Sequence, residues 1–464
     1  MSQLSQSGNT SSGTCPRCHR DGLKIVPSTG VLWRHGLRDH PCEGGGGLPI
    51  PGSVVSRGLL DQQSTTESAV DTLTTSVQTP TFIHPSTTSA TLKHLPKGAR
   101  AQASILLARL IREILNDAGK IQSWQRLLGF ASVCFASPKR GGRARNLTTA
   151  VIQQMQKYET GVLSNGTTVQ AKRIFKQKLG EEGVTRRVSA KLEEGDIKGA
   201  LRLLTSSDDL APSTKETLDR LMMLHPPQPM DRRANPVPSA DIPLHVSPSD
   251  VKRAILSFPS GSAGGPDGLR PQHLKDLLTL ADTNDPLLEA STDFINLILE
   301  GRTPGEVRAI LFGGSLTALN KKGGGVRPIA VGYVWRRLAG KVACGSVREA
   351  AVTLLAPRQL GFGVSRGCEG AVHAARRYID NLLPNEMILK LDFKNAFNTI
   401  RRDTMLEAVA LHFPELYRFV ESAYGSPSIL RFGDFTVPSS EGAQQGDPLG
   451  PPCSAWVFTL CYHR

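Results

Sequence analysis

Apolar residues recur in two different rhythms along the chain, and the change between them divides the sequence. Within residues 92–180 they return three and four positions apart, as at Ile105, Leu106 and Leu110, which is the spacing of one helix face. After the proline-rich stretch 226–243, helical patterns alternate with short strand patterns. This order predicts a mostly helical segment over 92–230, followed by an α+β domain over 231–464.

Local signals in the second region predict individual elements. Ser247 precedes a periodic stretch that reaches Phe258, and this pattern predicts a capped helix. Residues 315–320 and 327–331 flank a Lys-Lys-Gly-Gly-Gly run and predict the two strands of a hairpin. The alternating segment 386–393 predicts a strand that brings a carboxylate to its end, a position shared by metal ligands and by ordinary helix N-caps.

The first 91 residues lack both rhythms. Residues 1–14 are small and polar, residues 44–47 are all glycine, and residues 61–91 contain 15 Ser or Thr and no Lys or Arg. Such a composition buries too little apolar surface to offset the entropy lost on ordering the chain. We therefore expect a disordered tail over 1–14 and a disordered linker over 44–91, on either side of a short module.

Cysteine and histidine are concentrated in that module, residues 15–43. Cys15 and Cys18 form a Cys-x2-Cys pair, and His35 follows after 16 further residues. Either His40 or Cys42 completes a set of four ligands, at a spacing typical of structural Zn²⁺ sites. The sequence predicts a zinc finger, and the alternative is a coincidental group in a disordered tail.

Composition narrows the possible classes of protein. The 464 residues carry 55 Lys+Arg against 41 Asp+Glu, a formal net charge of +14, and the excess is densest in 92–180, with 16 basic against three acidic residues. A basic chain of this kind favours a polyanionic partner such as nucleic acid. The sequence has no apolar run of about 18 residues and no secretory signal, so we expect no membrane association and an intracellular location, nuclear or cytoplasmic.

Five short motifs in the C-terminal half occur in a fixed order. They are Gly-Gly-Pro-Asp-Gly-Leu at 264–269, Lys322 with Arg-Pro-Ile at 327–329, Gln-Leu-Gly-Phe-Gly at 359–363, Leu-Asp-Phe at 391–393 with Phe397, and Gln-Gly-Asp-Pro-Leu at 445–449. Over roughly residues 190–464 this order resembles the reverse transcriptase of non-LTR (LINE-type) retrotransposons. The N-terminal finger is similar to the branch that inserts at specific target sites. The resemblance implies the fingers and a partial palm of a right-hand polymerase over 231–464.

The resemblance also implies a catalytic and a sugar-contacting residue. Asp392 matches the strand-end aspartate that binds two catalytic Mg²⁺ ions, assisted by the backbone carbonyl of Phe393. Phe397 matches the aromatic residue that packs under the incoming sugar and rejects a 2′-OH. The implied reaction joins a primer 3′-oxygen to the α-phosphorus of a dNTP, with RNA as the template and DNA as the primer or target.

Four further residues match the nucleotide-binding surface of the family. Lys322 and Arg327 match the cations that grip the triphosphate, and an arginine suits this role through its bidentate fork. Gln445 and Gly446 match the loop beneath the template base and the nucleotide.

The sequence departs from the family in its carboxylates. The family supplies further acids from an Asp-Asp hairpin after the Gln-Gly loop, whereas residues 448–464 contain no Asp or Glu. Two Mg²⁺ ions need several carboxylates, so we expect a chain truncated before this hairpin and inactive in isolation. The alternative function is non-catalytic nucleic-acid binding through the zinc finger and the basic helical region. A decayed copy without a function is a third possibility.

Overall fold

The structure is a computed structural model of the 464-residue chain. It describes residues 11–17, 19, 23–26, 31–32, 36–37, 40–43, 48–50, 55–56, 90–137, 146–161, 181–193, 195–205, 210–238, 242–278, 285–321 and 323–463. The chain divides into two compact units, Met1–Gln78 and Thr79–Arg464.

The first unit contains very short antiparallel strands. Within its described residues these are β1 (Ser11–Gly13), β2 (Leu23–Lys24), β3 (Gly36–Leu37), β4 (His40–Pro41) and β5 (Val55–Ser56). β1 pairs with both β2 and β5, and β3 pairs with β4. β1 falls in the segment expected to be a disordered tail, and β5 falls in the segment expected to be a disordered linker. Both strands pair with other strands of this unit. Residues 1–10 and 57–89 lie outside the described residues.

Helices predominate in the second unit. Those in the described residues are α1 (Arg100–Asn116), α2 (Ile121–Cys134), α3 (Leu147–Glu159), α4 (Glu181–Glu193), α5 (Ile197–Thr205), α6 (Lys215–Leu224), α7 (Pro248–Leu256), α8 (Pro271–Leu278), α9 (Pro286–Leu299), α10 (Gly305–Leu311), α11 (Val334–Ser346), α12 (Arg348–Leu355), α13 (Gly367–Asp380), α14 (Ala396–Thr399), α15 (Arg402–His412), α16 (Tyr417–Tyr424) and α17 (Gly450–His463), with 3₁₀ turns at Lys97–Ala99 and Pro414–Leu416. Across the described part of the chain, none of these is both long and apolar enough to cross a membrane.

A four-stranded mixed sheet completes the second unit. Its strands are β6 (Gly314–Asn320), β7 (Val326–Gly332), β8 (Ser428–Phe432) and β9 (Phe435–Ser439), in the order β7-β6-β8-β9. β6 and β7 form the predicted hairpin, β8 runs parallel to β6, and β9 returns antiparallel to β8. The mixture of helices with one small sheet agrees with the predicted α+β class. Its assignment to polymerase fingers and palm stays a prediction.

The predicted cap at Ser247 is also confirmed. The Ser247 hydroxyl accepts a hydrogen bond from the Asp250 amide, and the Asp250 carboxylate accepts one from the Ser247 amide at 3.1 Å. This reciprocal pair satisfies two donors that would otherwise lack partners at the start of α7.

The helices of the basic region share their core with the region that follows. Leu107 on α1 belongs to the same buried cluster as Phe294 on α9 and Trp335 on α11. The rings of Trp124 on α2 and Phe294 lie 5.4 Å apart, and the ring of Trp335 meets Phe294 edge-on at 5.3 Å. The sequence division at residue 230 therefore does not separate two cores.

The predicted strand over 386–393 is not formed. The segment has no strand hydrogen bonding, and Met387 and Leu389 are 80% and 75% exposed. Backbone donors and acceptors need a neighbouring strand to form a ladder, and no described strand pairs with this segment. The alternating pattern predicts a strand, but it does not ensure that a neighbouring strand is present to pair with it.

The shared core generates a stability prediction. Leu107→Ala should lower the free energy of unfolding of the whole second unit by about 2–5 kcal/mol, because it leaves a cavity beside residues of α9. Denaturant titration followed by tryptophan fluorescence measures this change. Ile105→Ala on the same helix is the matched control, since Ile105 is 63% exposed and its loss should cost less than about 0.5 kcal/mol. Melting of α1–α3 in a separate, earlier transition would contradict a single core.

Candidate functional site

A cavity of about 550 Å³ opens in the second unit beside the β6–β7 hairpin. Four of the six residues predicted to bind nucleotide lie in its wall: Arg327, Phe397, Gln445 and Gly446. The remaining lining residues are Phe258, Ile329, Arg337, Lys341, Gln444, Asp447, Pro448 and Pro451. The hairpin, α11, α14 and the loop before α17 thus contribute to one site.

The other predicted site residues are not brought to this cavity. Lys322 lies outside the described residues. Asp392 and Phe393 are exposed and are not lining residues, and the ring of Phe393 lies 5.4 Å from that of Phe458 on α17. Asp392 therefore does not face the candidate nucleotide site in this structure.

The described residues do not assemble a two-metal site around Asp392. No group of three or more Asp, Glu, His or Cys side chains in the described part of the chain could hold a metal ion. Mg²⁺ prefers several oxygen ligands, so a single exposed carboxylate does not fit this role by itself.

The loop over 444–449 is attached to the edge of β7. The Ala330 amide donates a hydrogen bond to the Gln445 carbonyl at 2.8 Å. Gly446 has φ +113°, and a Cβ there would lie 2.4 Å from the Ala330 carbonyl oxygen. A glycine is therefore required for this close approach. The Gln445 Oε1 atom is buried without a hydrogen-bond partner among the described residues, so it is available to a ligand that donates a hydrogen bond.

Phe397 is placed by the start of a short helix, as the sequence suggested. It lies on α14, and its carbonyl accepts a hydrogen bond from the Ala443 amide at 2.7 Å. Its ring lies against Gly450, where an added Cβ would be 3.5 Å from the ring. The aromatic ring is thus held between α14 and the start of α17, at the cavity wall.

A buried ion pair supports the loop from behind. The Arg336 guanidinium donates to the Asp447 carboxylate at 2.5 Å, and both side chains are almost fully buried, at 1% and 2% exposure. Arg336 also donates to Gln444 Oε1 at 2.7 Å and to the Tyr424 hydroxyl at 3.2 Å. Gln444 Nε2 donates to Ser428 Oγ at 2.9 Å. The network connects α11, α16 and β8 to the Gln-Gly loop.

The pKa shifts of this network follow from burial and close charges. Burial opposes the charge of Arg336, but Asp447 and Tyr424 outweigh it and raise the Arg336 pKa. Burial and then Asp447 raise the pKa of Tyr424 well above its usual range. The Tyr424 hydroxyl therefore stays protonated and donates to Asp447.

Arg336 was not predicted as a site residue from the sequence. Its role depends on Asp447, which lies 111 residues away in the chain. A weak signal was present, because Arg336 interrupts the otherwise apolar buried face formed by Val334, Trp335 and Leu338. A charge on a buried helix face requires a partner, but sequence alone does not say which.

The lining of the cavity is electropositive. Arg327, Arg337 and Lys341 contribute three cations, whereas Asp447 is the one acid among the lining residues and already pairs with Arg336. A concave surface with this balance of charge favours an anionic ligand such as a phosphate ester.

The first unit brings two of the predicted zinc ligands together. Cys15 is buried, and its Sγ atom lies 4.0 Å from Sγ of Cys42. Two thiolates on one tetrahedral Zn²⁺ lie roughly 3.8 Å apart, so this distance fits Cys42 as a ligand. The Arg17 amide also donates to Cys15 Sγ at 3.4 Å. Cys18, His35 and the side chain of His40 lie outside the described residues.

Comparison with known proteins relates the chain to a mobile element. No family model matches it. The Retrotransposable element SLACS 132 kDa protein of Trypanosoma brucei gambiense is 30% identical over 244 residues, which is 51% of this chain. The chain is related to a retrotransposable-element protein. It spans 19% of the length of this curated relative.

The buried ion pair generates a stability prediction. Arg336→Met should lower the free energy of unfolding by about 3–5 kcal/mol, because it leaves the Asp447 carboxylate buried without its counter-charge. Adding Asp447→Asn to this variant should recover part of the loss. Arg302→Met is the control, since Arg302 forms an exposed pair with Glu300 and should change stability by less than about 1 kcal/mol. Equal effects at the two arginines in denaturant titrations would refute the assigned role of the pair.

Proposed function

We propose that the chain is part of an RNA-directed DNA polymerase of a non-LTR retrotransposon, and that its cavity binds the incoming dNTP. One observation carries this proposal: Arg327, Phe397, Gln445 and Gly446, assigned separately by motif, line a single electropositive cavity. The relation to a retrotransposable-element protein supports the assignment to a mobile element.

Each of these four residues has a defined part in this proposal. The Arg327 guanidinium donates to triphosphate oxygens, and its charge offsets theirs. The Phe397 ring packs against the sugar, where a 2′-hydroxyl would compete for the same space. The Gln445 Oε1 atom accepts a hydrogen bond from the ligand, and Gly446 keeps the backbone close to β7 so that the loop does not block the site.

The chemical step itself needs groups beyond this cavity. In the family the primer 3′-oxygen attacks the α-phosphorus and pyrophosphate leaves, and Asp392 would be one ligand of two Mg²⁺ ions that would neutralise the developing charge. In the described part of the chain Asp392 is exposed, and the residues around it do not fit a two-metal site. We propose that the isolated 464-residue chain binds nucleotide without extending a primer.

Nucleotide binding tests the proposal directly. Arg327→Gln should weaken dGTP binding by at least about tenfold, because a charge-assisted phosphate contact is lost. Phe397→Ala should reduce the preference for dGTP over GTP. Isothermal titration calorimetry measures both effects, with Arg302→Gln as a matched loss of a surface arginine. Unchanged dGTP affinity in Arg327→Gln would rule out the assigned triphosphate contact.

A primer-extension assay separates binding from chemistry. The purified chain, supplied with primed RNA template, Mg²⁺ and dNTPs, should incorporate no nucleotide. Template-dependent incorporation that Asp392→Ala abolishes would show that the isolated chain is catalytically complete.

A non-catalytic nucleic-acid-binding protein is the second candidate function. The 4.0 Å separation of the Cys15 and Cys42 sulfurs favours it, because it suits a zinc module of the kind that binds nucleic acid. Among the described residues of the first unit, the buried core consists of Cys15, Ile25 and Leu32, and a core of that size calls for a metal or another crosslink.

Metal analysis of the full chain tests the zinc site. The purified protein should contain one Zn²⁺ per chain by mass spectrometry, and Cys42→Ser should lose it because a thiolate ligand is removed. His40→Ala should retain the metal. The opposite outcome, with loss only in His40→Ala, would assign the fourth ligand to His40. Loss of the metal should also weaken RNA binding if the module serves the second candidate function.

A further inference from the structure

A row of three cations, Lys275, Lys341 and Arg337, surrounds Phe258, and Lys341 and Arg337 line the cavity together with it. The Arg337 guanidinium carbon and the Lys341 Nζ atom lie 5.3 Å and 5.0 Å from the centre of the Phe258 ring. Lys275 on α8 donates from Nζ to the Phe258 carbonyl at 2.5 Å. Arg337 and Lys341 are one helical turn apart on α11, so both project to the same side.

Within the described part of the chain, none of Lys275, Arg337 and Lys341 forms an ion pair with a carboxylate, and Arg337 donates instead to the Ala263 carbonyl at 2.7 Å. Burial, and then Lys341, lower the pKa of Lys275. Burial, and then Arg337, lower the pKa of Lys341. Lys341 therefore repels both of the other cations, Lys275 on one side and Arg337 on the other.

Two acids act on Arg337. Burial lowers the Arg337 pKa, while Asp267 and then Asp447 oppose this shift. Asp447 already pairs with Arg336, and Asp267 is fully buried, where burial raises its pKa to about 7. Mutually repelling cations at an open wall, whose acids are paired or buried, are stabilised by a bound anion.

We propose that Lys275, Lys341 and Arg337 bind backbone phosphates of a single-stranded polynucleotide that enters the cavity beside the nucleotide. A row of cations matches a ligand with successive phosphates, while Arg327 on β7 serves the nucleotide. The proposal deepens the proposed function, and rests on it for naming the strand as the template; the phosphate contact itself does not require polymerase activity.

The surroundings of Phe258 favour contact with phosphate over contact with bases. The ring is 5% exposed, and two cations lie over it, so it offers no free face on which a base could stack. Contacts through the backbone alone position a strand without reading its sequence. Binding at this row should therefore be independent of sequence and sensitive to salt.

Fluorescence anisotropy with a labelled single-stranded 12-mer of uridine tests the proposal on the full chain. Lys341→Gln should weaken binding about fivefold at about 0.1 M salt and flatten the log–log salt dependence by about 0.7, the contribution of one phosphate on a single strand. Lys341→Arg should bind as the wild type does. Lys215→Gln is the matched control, because Lys215 is an exposed lysine on α6 that belongs neither to this row nor to the lining of the cavity, and it should leave both quantities unchanged.

A parallel titration with dGTP separates this inference from the proposed function. Lys341→Gln should weaken strand binding more than dGTP binding, because Lys341 also adds to the charge of the cavity, whereas Arg327→Gln should weaken dGTP binding more than strand binding. If wild-type protein fails to bind dGTP while the Lys341 effect on the strand persists, the proposed function fails and the phosphate row stands. An unaltered salt slope in a Lys341→Gln protein that melts like the wild type overturns the row. Equal loss of dGTP and strand binding in Lys341→Gln also overturns it, because the cation would then serve the nucleotide.

Discussion

The buried contact between Arg336 and Asp447 holds the candidate site together. Two charges removed from water are tolerated only when their geometry is good and their remaining hydrogen-bonding groups are largely satisfied. Here Gln444 and Tyr424 accept further hydrogen bonds from the guanidinium. The loop over 444–449, which contains Asp447, accepts a hydrogen bond at the Gln445 carbonyl from the Ala330 amide of β7. Helix, loop and hairpin are thus mutually fixed, and a ligand meets a wall that is already formed.

One turn of α11 serves three purposes through neighbouring residues. Trp335 packs into the main core, Arg336 enters the buried network, and Arg337 lines the cavity. Successive helix positions point about 100° apart, which lets adjacent residues face different surroundings. The neutralisation of Asp447 by Arg336 also leaves Arg327, Arg337 and Lys341 to set the charge of the cavity. The same ion pair therefore supports both the shape of the site and its preference for anions.

The two units differ in what can stabilise them. The second has a continuous core that joins α1 and α2 to α9 and α11, and apolar burial of that extent can support a fold by itself. In the first, the described residues form short strands and bury Cys15, Ile25 and Leu32 together. The nearby Cys15 and Cys42 sulfurs supply the chemistry for a metal crosslink there. The basic helices α1, α2 and α3, by contrast, contribute residues to the core of the second unit.

Sequence alone determined the features that depend on neighbouring residues. The glycine turn between β6 and β7, the helix cap at Ser247 and the position of Phe397 at the start of a helix follow from local backbone chemistry. Tertiary structure decided what depends on distant partners. The segment 386–393 has the alternation of a strand, but no described strand pairs with it. Arg336 and Arg337 are adjacent arginines in the sequence, and nothing local distinguishes them. Folding brings Asp447 to Arg336 and leaves Arg337 facing the cavity, and this gives the two residues different roles. Hydrogen bonds and ion pairs across the chain form only where the packing of whole elements places both partners, and no local pattern encodes that placement.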